Sequence, residues 1–498
     1  MTSSLASIDE QRQRRELYHE ADVVVVGAGI FGCAAAYALA DQGRSVILLE
    51  RWMHEPDRIV GELLQPGGLA ALRKLGLGHC VEDIDSIPCY GYNVIYHGEQ
   101  NVIPYPGLNE KGEVEHMWGG RGTGGKKQVG RGFHHGRFIM QLRQACMAHE
   151  NITVVETEVV KTVRGEQSDQ ILGVETKTTV DKETGEKKND YYFGQLTIIA
   201  DGYDSKFRKQ VTGTKPIVKS KFYALELIDA KLPELHHGHV IIGNAFPILL
   251  YQIGTHETRA LFDVPQGIPE ASPANGGVRG YIKNHAIPAL PESVRPAAEK
   301  ALEDGKIPRS MPNSWLPAVP QTPNGLILLG DAYNMRHPLT GAGMSVAFND
   351  ALTLADVLHP DRIPSLGDAP AVQEAMKKLY WRRKNYSSIL NTLAQALYAL
   401  FAANDRQLSA LQMGCFEYFR REQTDGPVGM LGALIHRPLC LAYHFFYVAF
   451  VGMWMHGAQV IGNPLGFWKA PLAFLDCILI LWRACVVFVP VIWKEAFQ

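Results

Sequence analysis

Several things are scarce in this 498-residue chain, and each scarcity excludes something. Eight cysteines are too few for a disulfide-stapled scaffold. Neither sign of charge is in excess. Lys and Arg number 49 and Asp and Glu 51, so the net charge of −2 gives no general attraction to nucleic acid. Residues Met1 to Ala21 hold no apolar run of seven or more, only a polar stretch with Arg12, Arg14 and Arg15 close together. That segment is therefore no signal peptide or membrane helix and is expected to be a frayed polar leader. His134, His135 and His337 stand at no zinc spacing and have no cysteine pair nearby, so structural roles and no metal are expected. The last 61 residues, from Pro438, have only five charges: Lys469, Asp476, Arg483, Lys494 and Glu495. They also hold four of the eight tryptophans.

Against these absences stands a βαβ unit. Val23–Val26 is a β-branched run that suits a strand buried on both faces. Gly27-x-Gly29-x-x-Gly32 follows, then an alanine-rich helix and a second strand that ends at Glu50. Gly27 permits the tight turn, Gly29 lets backbone approach a pyrophosphate, and Gly32 lets helix and strand pack closely. Glu50, 18 residues beyond Gly32, is placed to bind a ribose diol. Two more strand-then-turn segments follow. One is Leu196–Arg208, with Asp201-Gly202 and then Asp204, Ser205 and Arg208; the other is Gly325–Met344, with Gly330-Asp331 and then Thr340-Gly341-Ala342-Gly343 before a helix. Short β-rich runs between about Lys215 and Val264 are spaced like an antiparallel sheet. Glu270–Asn324 reads as loops with one helix near Ser293–Glu303, and the chain looks helical from Ala369. The glycine-rich Gly120–Lys127 nearly spells a phosphate loop. Lys127 stands where a magnesium-binding Ser or Thr is needed, so a flexible peripheral loop is expected.

Together the three motifs resemble those of the hydroxylase-type flavin-dependent monooxygenases. Longer blocks narrow the resemblance to the squalene monooxygenase (squalene epoxidase) family in its fungal form. They are Glu55–Gly68, Phe133–Met140, Asn334–Thr340, Leu393–Tyr398 and the apolar C-terminus. The resemblance runs from about Asp22 to Trp493, with two departures: Ala342 in a turn that the family usually builds from three glycines, and the Gly120–Lys127 loop.

The resemblance implies an α/β fold: a Rossmann-like FAD-binding domain of the glutathione-reductase/hydroxylase type, an inserted antiparallel β-sheet substrate domain and a C-terminal helical membrane-binding region. The expected division is a leader over 1–21, a discontinuous FAD-binding domain over 22–88, 131–214 and 325–360, and a substrate sheet over 89–130 and 215–324. A helical domain over 361–437 and a membrane-associated hairpin over 438–498 complete it. The activity implied is transfer of one oxygen atom from O2 to the terminal 2,3 double bond of squalene, giving (3S)-2,3-oxidosqualene for ergosterol synthesis. The alternative is epoxidation of another polyprenyl or terpenoid alkene in secondary metabolism. No second glycine fingerprint appears, so electrons from NADPH are expected through NADPH–cytochrome P450 reductase at the endoplasmic reticulum membrane, with the catalytic part facing the cytoplasm.

By family position, FAD contacts fall to Gly27, Gly29, Ile30, Phe31, Gly32, Glu50, Arg51, Arg58, Arg143, Val159, Asp331, Gly343 and Met344. Arg58 and Arg143 are the expected phosphate partners. Tyr92 and Gln65 are candidate polar groups near flavin and pocket. Phe246, Leu250, Tyr251, Leu393 and Leu397 are candidate pocket walls. Squalene is all hydrocarbon, so an apolar water-excluding pocket is expected rather than a catalytic dyad or triad. In the tail, Leu439–Ile461 and Pro471–Trp493 are long enough to span a bilayer, but Asp476 and Arg483 lie inside the second. A hairpin embedded in one leaflet, contacting membrane lipid, is the favoured arrangement over two full spans or a buried soluble pair.

Overall fold

The computed structural model describes all residues except 1–7, 123, 168, 180–184, 304–307, 323, 404, 463–467, 469 and 498. A parallel sheet forms its centre. The strands run in the order Ile152–Glu156, Val46–Glu50, Glu20–Val26, Lys187–Ile199, and Leu326–Leu328 pairs with the C-terminal end of the last. Val23, Val24 and Val25 are fully buried because helices cover the sheet, so every side chain of the run packs against something. The first half of Lys187–Ile199 continues beyond this layer and pairs antiparallel with Ile171–Thr179, which pairs with Glu158–Arg164. Helices Ile30–Ala40, His135–Ala148 and Gly343–Val357 share one apolar core with the sheet.

A second seven-stranded sheet stands beside the first. Its order is Arg309–Trp315, Ile217–Ile228, Glu257–Pro265, Ile248–Gln252, His237–Ile242, Gly91–Tyr96, Glu99–Pro104. All neighbours are antiparallel except His237–Ile242 with Gly91–Tyr96. One face packs on short helices and on Arg295–Glu303, and the other on Ile59, Leu63 and Leu339 and on the C-terminal helices through Tyr398, Phe416 and Phe419. Arg309–Trp315 lies inside the stretch expected to be loops and one helix. It carries Pro312, which an edge strand tolerates because one side of its backbone makes no ladder bonds. Leu63–Leu64, Gly130–Gly132 and Ile87–Cys89 form a small third sheet between the two larger ones.

Two expectations about polar segments are corrected. The leader is not frayed where it is described: Ile8–Leu17 is a helix and the first strand begins at Glu20. Arg15 is buried, donating to Ser45 Oγ (3.1 Å), Thr153 Oγ1 (3.0 Å) and the Glu150 carbonyl (2.6 Å), which pins the helix to the sheet. Residues 1–7 of the expected leader lie outside the described residues. The glycine-rich loop is likewise tethered, with Gly120 N–H on Gln423 Oε1 (2.9 Å) and Gly122 N–H on Asp425 Oδ2 (2.7 Å).

The C-terminal half is helical: Ala369–Phe401, Arg406–Arg420, Asp425–Leu431, Pro438–Ile461 and Ala470–Phe497. The last two are long and apolar enough to cross a membrane. They pack antiparallel, with the Phe445 and Phe488 rings stacked 3.5 Å apart. Each has a buried inner face, containing Cys440, Leu441 and Ala449 on one and Ile480, Ala484 and Phe488 on the other. Phe450, Trp454, Phe474, Leu475, Trp482 and Val489 are exposed on the outside.

The charges inside the tail find partners. Arg406 donates to Asp476 (2.7 Å) and Arg483 to Asp405 (3.0 Å), so neighbouring residues at the start of one helix hold opposite charges two turns apart on the last helix. Lys494 lies over the Trp315 ring at 5.3 Å, and Glu495 is buried. All four described tail charges thus engage the body of the protein.

Candidate active site

The glycine turn does what its spacing requires. Gly27 has φ +102°, and a Cβ there would meet the Ala200 carbonyl oxygen at 2.5 Å. A Cβ on Gly32 would lie 1.8 Å from the Gly27 carbonyl oxygen, so helix and turn close only on glycine. Gly29 and Gly343 differ: nothing stands within 4 Å of where their Cβ atoms would be. Both line one cleft, at the N-termini of Ile30–Ala40 and Gly343–Val357, so two sets of free helix-start N–H groups face open space.

That cleft holds about 1590 Å³ of space free of protein atoms, counting its open mouth. Ile30, Phe31, Arg58, Tyr92, Tyr251, Asp331 and Met344 of the expected site line it, with Gly29 and Gly343. Glu50 stands behind the turn, its Oε2 accepting Ala28 N–H at 2.8 Å and its Oε1 Trp52 N–H at 3.1 Å. Arg143 stands behind the same turn. It is buried, donates to the carbonyls of Ala28 (3.0 Å), Trp52 (2.9 Å) and His54 (3.1 Å), and pairs with Glu50 at 3.4 Å. It therefore holds the 50–54 segment against the glycine turn. Arg51 lies over the Trp52 ring at 4.0 Å, and Arg58, at the cleft, over Tyr203 at 5.8 Å. Val159 is buried off the cleft wall, two residues past Thr157, whose N–H bonds the Glu50 carbonyl.

Arg208 links the other two motifs. Its side chain donates to the carbonyls of Gly202 (3.2 Å) and Tyr203 (2.7 Å) in the Asp-Gly turn, and of Asp331 (3.1 Å) and Ala332 (2.8 Å) in the Gly-Asp turn. The sequence shows Arg208 at a fixed offset but not that it joins two turns more than 120 residues apart.

Behind the cleft wall, fully buried and not itself lining the cleft, Gln65 is a hub. Its Oε1 accepts Tyr92 O–H (2.9 Å) and Tyr105 O–H (2.6 Å), and its Nε2 donates to the Thr340 carbonyl (3.0 Å). Burial pushes both tyrosine hydroxyls well above their ordinary pKa, so they stay protonated donors. Gln65 thus ties the second sheet to the turn before Gly343. Gly341 there has φ +62°, whereas Ala342 has φ −86° and packs against Val346, Tyr386 and Leu390. Alanine at 342 is therefore unstrained.

At the sheet end of the cleft, Glu62 pairs with Arg259 and lies 3.4 Å from Tyr251 Oη. His135 lines the wall nearby, its Nδ1 bonded to the Gly61 carbonyl at 2.8 Å. Burial lowers its pKa to about 3, so it is neutral and Nδ1 carries the proton. His337 stacks on Tyr398 at 4.0 Å, and burial lowers it also to about 3. Among the described residues no three His, Cys, Asp or Glu side chains are grouped to hold a metal ion.

Four expected pocket walls lie elsewhere. In strand Ile248–Gln252 the side chains alternate, so Leu249 and Tyr251 face the cleft while Leu250 points to the opposite core. Phe246 packs in that opposite core too. Leu393 and Leu397 line a second, almost wholly apolar cavity of about 770 Å³, between the helical region and the C-terminal pair. One apolar cluster joins the two spaces: it contains Tyr92, Leu249, Tyr251 and Leu339 of the cleft and Tyr418 and Phe419 of the second cavity.

Solved structures of the same shape are flavoprotein oxygenases and halogenases. PqsL of Pseudomonas aeruginosa, in complex with 2-aminobenzoylacetate, matches with a TM-score of 0.62 at 20% identity, covering 78% of this chain and 98% of that one. The flavin-dependent brominase Bmp2 matches with a TM-score of 0.63 at 14% identity, covering 85% and 97%. At such identities the likeness shows the fold alone; the class, an FAD-dependent monooxygenase, rests on nearer relatives. Closer relatives carry the assignment further. A profile of FAD dependent oxidoreductases matches residues 22–54, and one of squalene epoxidase matches residues 193–468. Squalene epoxidase ERG1 of Gibberella zeae is 67% identical over the full length of both chains. Squalene epoxidase erg1 of Aspergillus fumigatus is 50% identical over 99% of this chain and 97% of its own. Squalene monooxygenase of Mus musculus is 39% identical over 95% of this chain and 78% of its own. The chain belongs to the squalene epoxidase family, and its cofactor is FAD.

Proposed function

We propose that this chain epoxidises squalene to (3S)-2,3-oxidosqualene in ergosterol biosynthesis, at the endoplasmic reticulum membrane with its catalytic part towards the cytoplasm. NADPH supplies the electrons through NADPH–cytochrome P450 reductase. One O2 gives one oxygen atom to the alkene and one to water, while NADPH is oxidised to NADP+. The observation that carries this reading is the two-ended cleft: glycine-lined helix starts at one end, and at the other an apolar wall whose cluster runs on to the C-terminal helices.

FAD, when bound, supplies the activation of O2. The N–H groups of Gly29, Ile30, Phe31, Gly343 and Met344 would bind its negative groups, with Asp331 and Glu50 as acceptors for ribose hydroxyls. Leu249, Leu261 and Leu339 exclude water and hold the alkene in place. Gln65 fixes Tyr92 at the boundary between the polar and apolar ends. The proposed division of labour assigns 22–88, 131–214 and 325–360 to FAD, and 89–130 and 215–324 to substrate. Residues 361–437 form the helical connection and 438–498 the lipid-facing hairpin.

The test is the full chain in lipid vesicles with FAD, the reductase, NADPH, squalene and 18O2. Oxidosqualene carrying one 18O is expected. NADPH oxidation that yields only hydrogen peroxide, with squalene unchanged, would refute the reading.

A further inference from the structure

We infer that Glu495, near the end of the last helix, is a positioning residue for the strap 334–344 that borders the flavin end of the cleft. Its carboxylate is buried, yet no cationic side chain touches it. Oε1 accepts Trp315 Nε1–H at 2.9 Å and Oε2 accepts Asn391 Nδ2–H at 2.8 Å, while Lys384 Nζ donates to the Glu495 backbone carbonyl at 2.5 Å. Burying a carboxylate on neutral donors is costly, and a helix that served only to hold lipid has no need of it.

Two acceptors set which way the Asn391 amide faces: Glu495 Oε2, and more weakly Asn334 Oδ1, which takes the same Nδ2 at 3.2 Å. With Nδ2 turned to Glu495, Asn391 Oδ1 accepts Arg336 Nε at 2.7 Å. Arg336 in turn donates to the Asn334 carbonyl (3.1 Å), Asn334 Oδ1 (2.8 Å) and the Gly343 carbonyl (3.3 Å). Those contacts hold both ends of the strap, and Asn334, Arg336 and Gly343 all line the cleft. An unbroken polar chain therefore runs from the outermost helix to the turn that opens Gly343–Val357. Two acceptor atoms at 495 are its first requirement: an amide there must set its own N–H groups against Trp315 Nε1–H or Asn391 Nδ2–H, and against Asn391 it favours the reversed amide, which turns N–H groups on Arg336.

The test uses the full chain in vesicles and three variants: Glu495→Gln, Asn391→Asp, and both together, which exchanges amide and carboxylate and restores donor-to-acceptor pairing. Hydrogen exchange of the strap in FAD-free protein is the first readout, and the FAD release rate is the second. Each is expected to rise roughly tenfold or more in Glu495→Gln, the loss of one buried charge-assisted hydrogen bond, and to fall back to within about twofold of the parent in the double variant. Flotation with vesicles is expected to be unchanged. Turnover, which alone depends on the epoxidase reading, is expected to fall in kcat with KM for squalene unmoved. Strap exchange and FAD release that stay at parent values in Glu495→Gln would overturn the inference, as would a double variant no better than the single. If Glu495→Gln does not accumulate, the double variant decides: native strap exchange supports the role and its absence refutes it.

Discussion

Arg259 holds Glu62 through two parallel hydrogen bonds, Nε to Oε2 and Nη2 to Oε1, each 2.8 Å, at the wall of an otherwise largely apolar cavity. Burial pushes the Glu62 carboxyl upward against the pull of Arg259, and Glu62 keeps Arg259 firmly charged. Removing Glu62 leaves buried Arg259 with only the longer bond to half-exposed Glu226 (3.3 Å), and removing Arg259 leaves Glu62 buried without a cation. Glu62→Ala is expected to cost about 3–5 kcal/mol of stability, read by denaturant unfolding, and a Glu62→Leu/Arg259→Met pair much less.

Gln65 and Tyr92 are expected to differ in severity. Tyr92→Phe deletes one hydrogen bond and is expected to lower turnover several-fold while FAD stays bound, at a stability cost of about 1 kcal/mol. Gln65→Ala strands two tyrosine hydroxyls and the Thr340 carbonyl, at about 1–3 kcal/mol for each group left without a partner. Product formation and flavin content measured together check both. Unchanged turnover in the two variants would remove them from the reaction.

The adjacent turn residues are expected to respond oppositely. Gly341→Ala forces a left-handed backbone on alanine and brings its Cβ to 3.0 Å from Gln65 Nε2, so a loss of about 1 kcal/mol or more and weakened FAD binding are expected. Ala342→Gly, at φ −86°, should leave activity intact and cost only about 0.5–1 kcal/mol through lost packing and a freer unfolded chain. Thermal unfolding with and without FAD separates the two.

Three buried histidines set an acid limit. Burial lowers His135 and His337 to about 3 and His239 to about 4, below the ~6.5 of an unfolded chain. Folded, they remain neutral where the unfolded chain takes up protons. Their contribution is complete above about pH 6.5 and is lost as pH falls towards the folded values, by about 1.4 kcal/mol per pH unit for each. Denaturation series between pH 7.5 and 4.5 should show that slope, reduced by one proton in His337→Phe.

The outer face of the C-terminal pair is expected to bind lipid. Serine at Phe450, Trp454, Phe474 and Trp482 together should release the protein from vesicles with its FAD content unchanged. Deleting 438–498 should release it too, but at the cost of flavin retention, because Glu495 leaves with the tail. Continued sedimentation of the truncated chain with membranes after a high-salt wash would show that another surface is the main anchor.

What was legible in the chain was local. Val23–Val26, the three glycines and Glu50 announce a nucleotide-binding turn because each constraint acts within a few residues. The side of a strand was not legible: Ile248–Tyr251 is apolar throughout, so nothing in the pattern says that Tyr251 rather than Leu250 faces the cleft. Arg309–Trp315 reads as a loop because of Pro312, and only the empty edge beside Ile217–Ile228 makes it a strand. Distant partners were equally hidden. Asp476 and Arg483 look misplaced in an apolar helix until Arg406 and Asp405, more than 60 residues earlier, stand opposite them. Glu495 was visible as one of five tail charges, but its burial depends on Trp315 and Asn391.

The crossed pairs Arg406–Asp476 and Arg483–Asp405 have a consequence for the choice of host membrane. They fasten the last helix to the protein before any lipid is present, so the tilt of that helix and the height of the cleft above the surface are set internally. In the leaflet-embedded arrangement nothing has to match the far side of the bilayer. Turnover is then expected to be the same in vesicles of short-chain and long-chain lipids and in a lipid monolayer, whereas a spanning pair would make it depend on bilayer thickness.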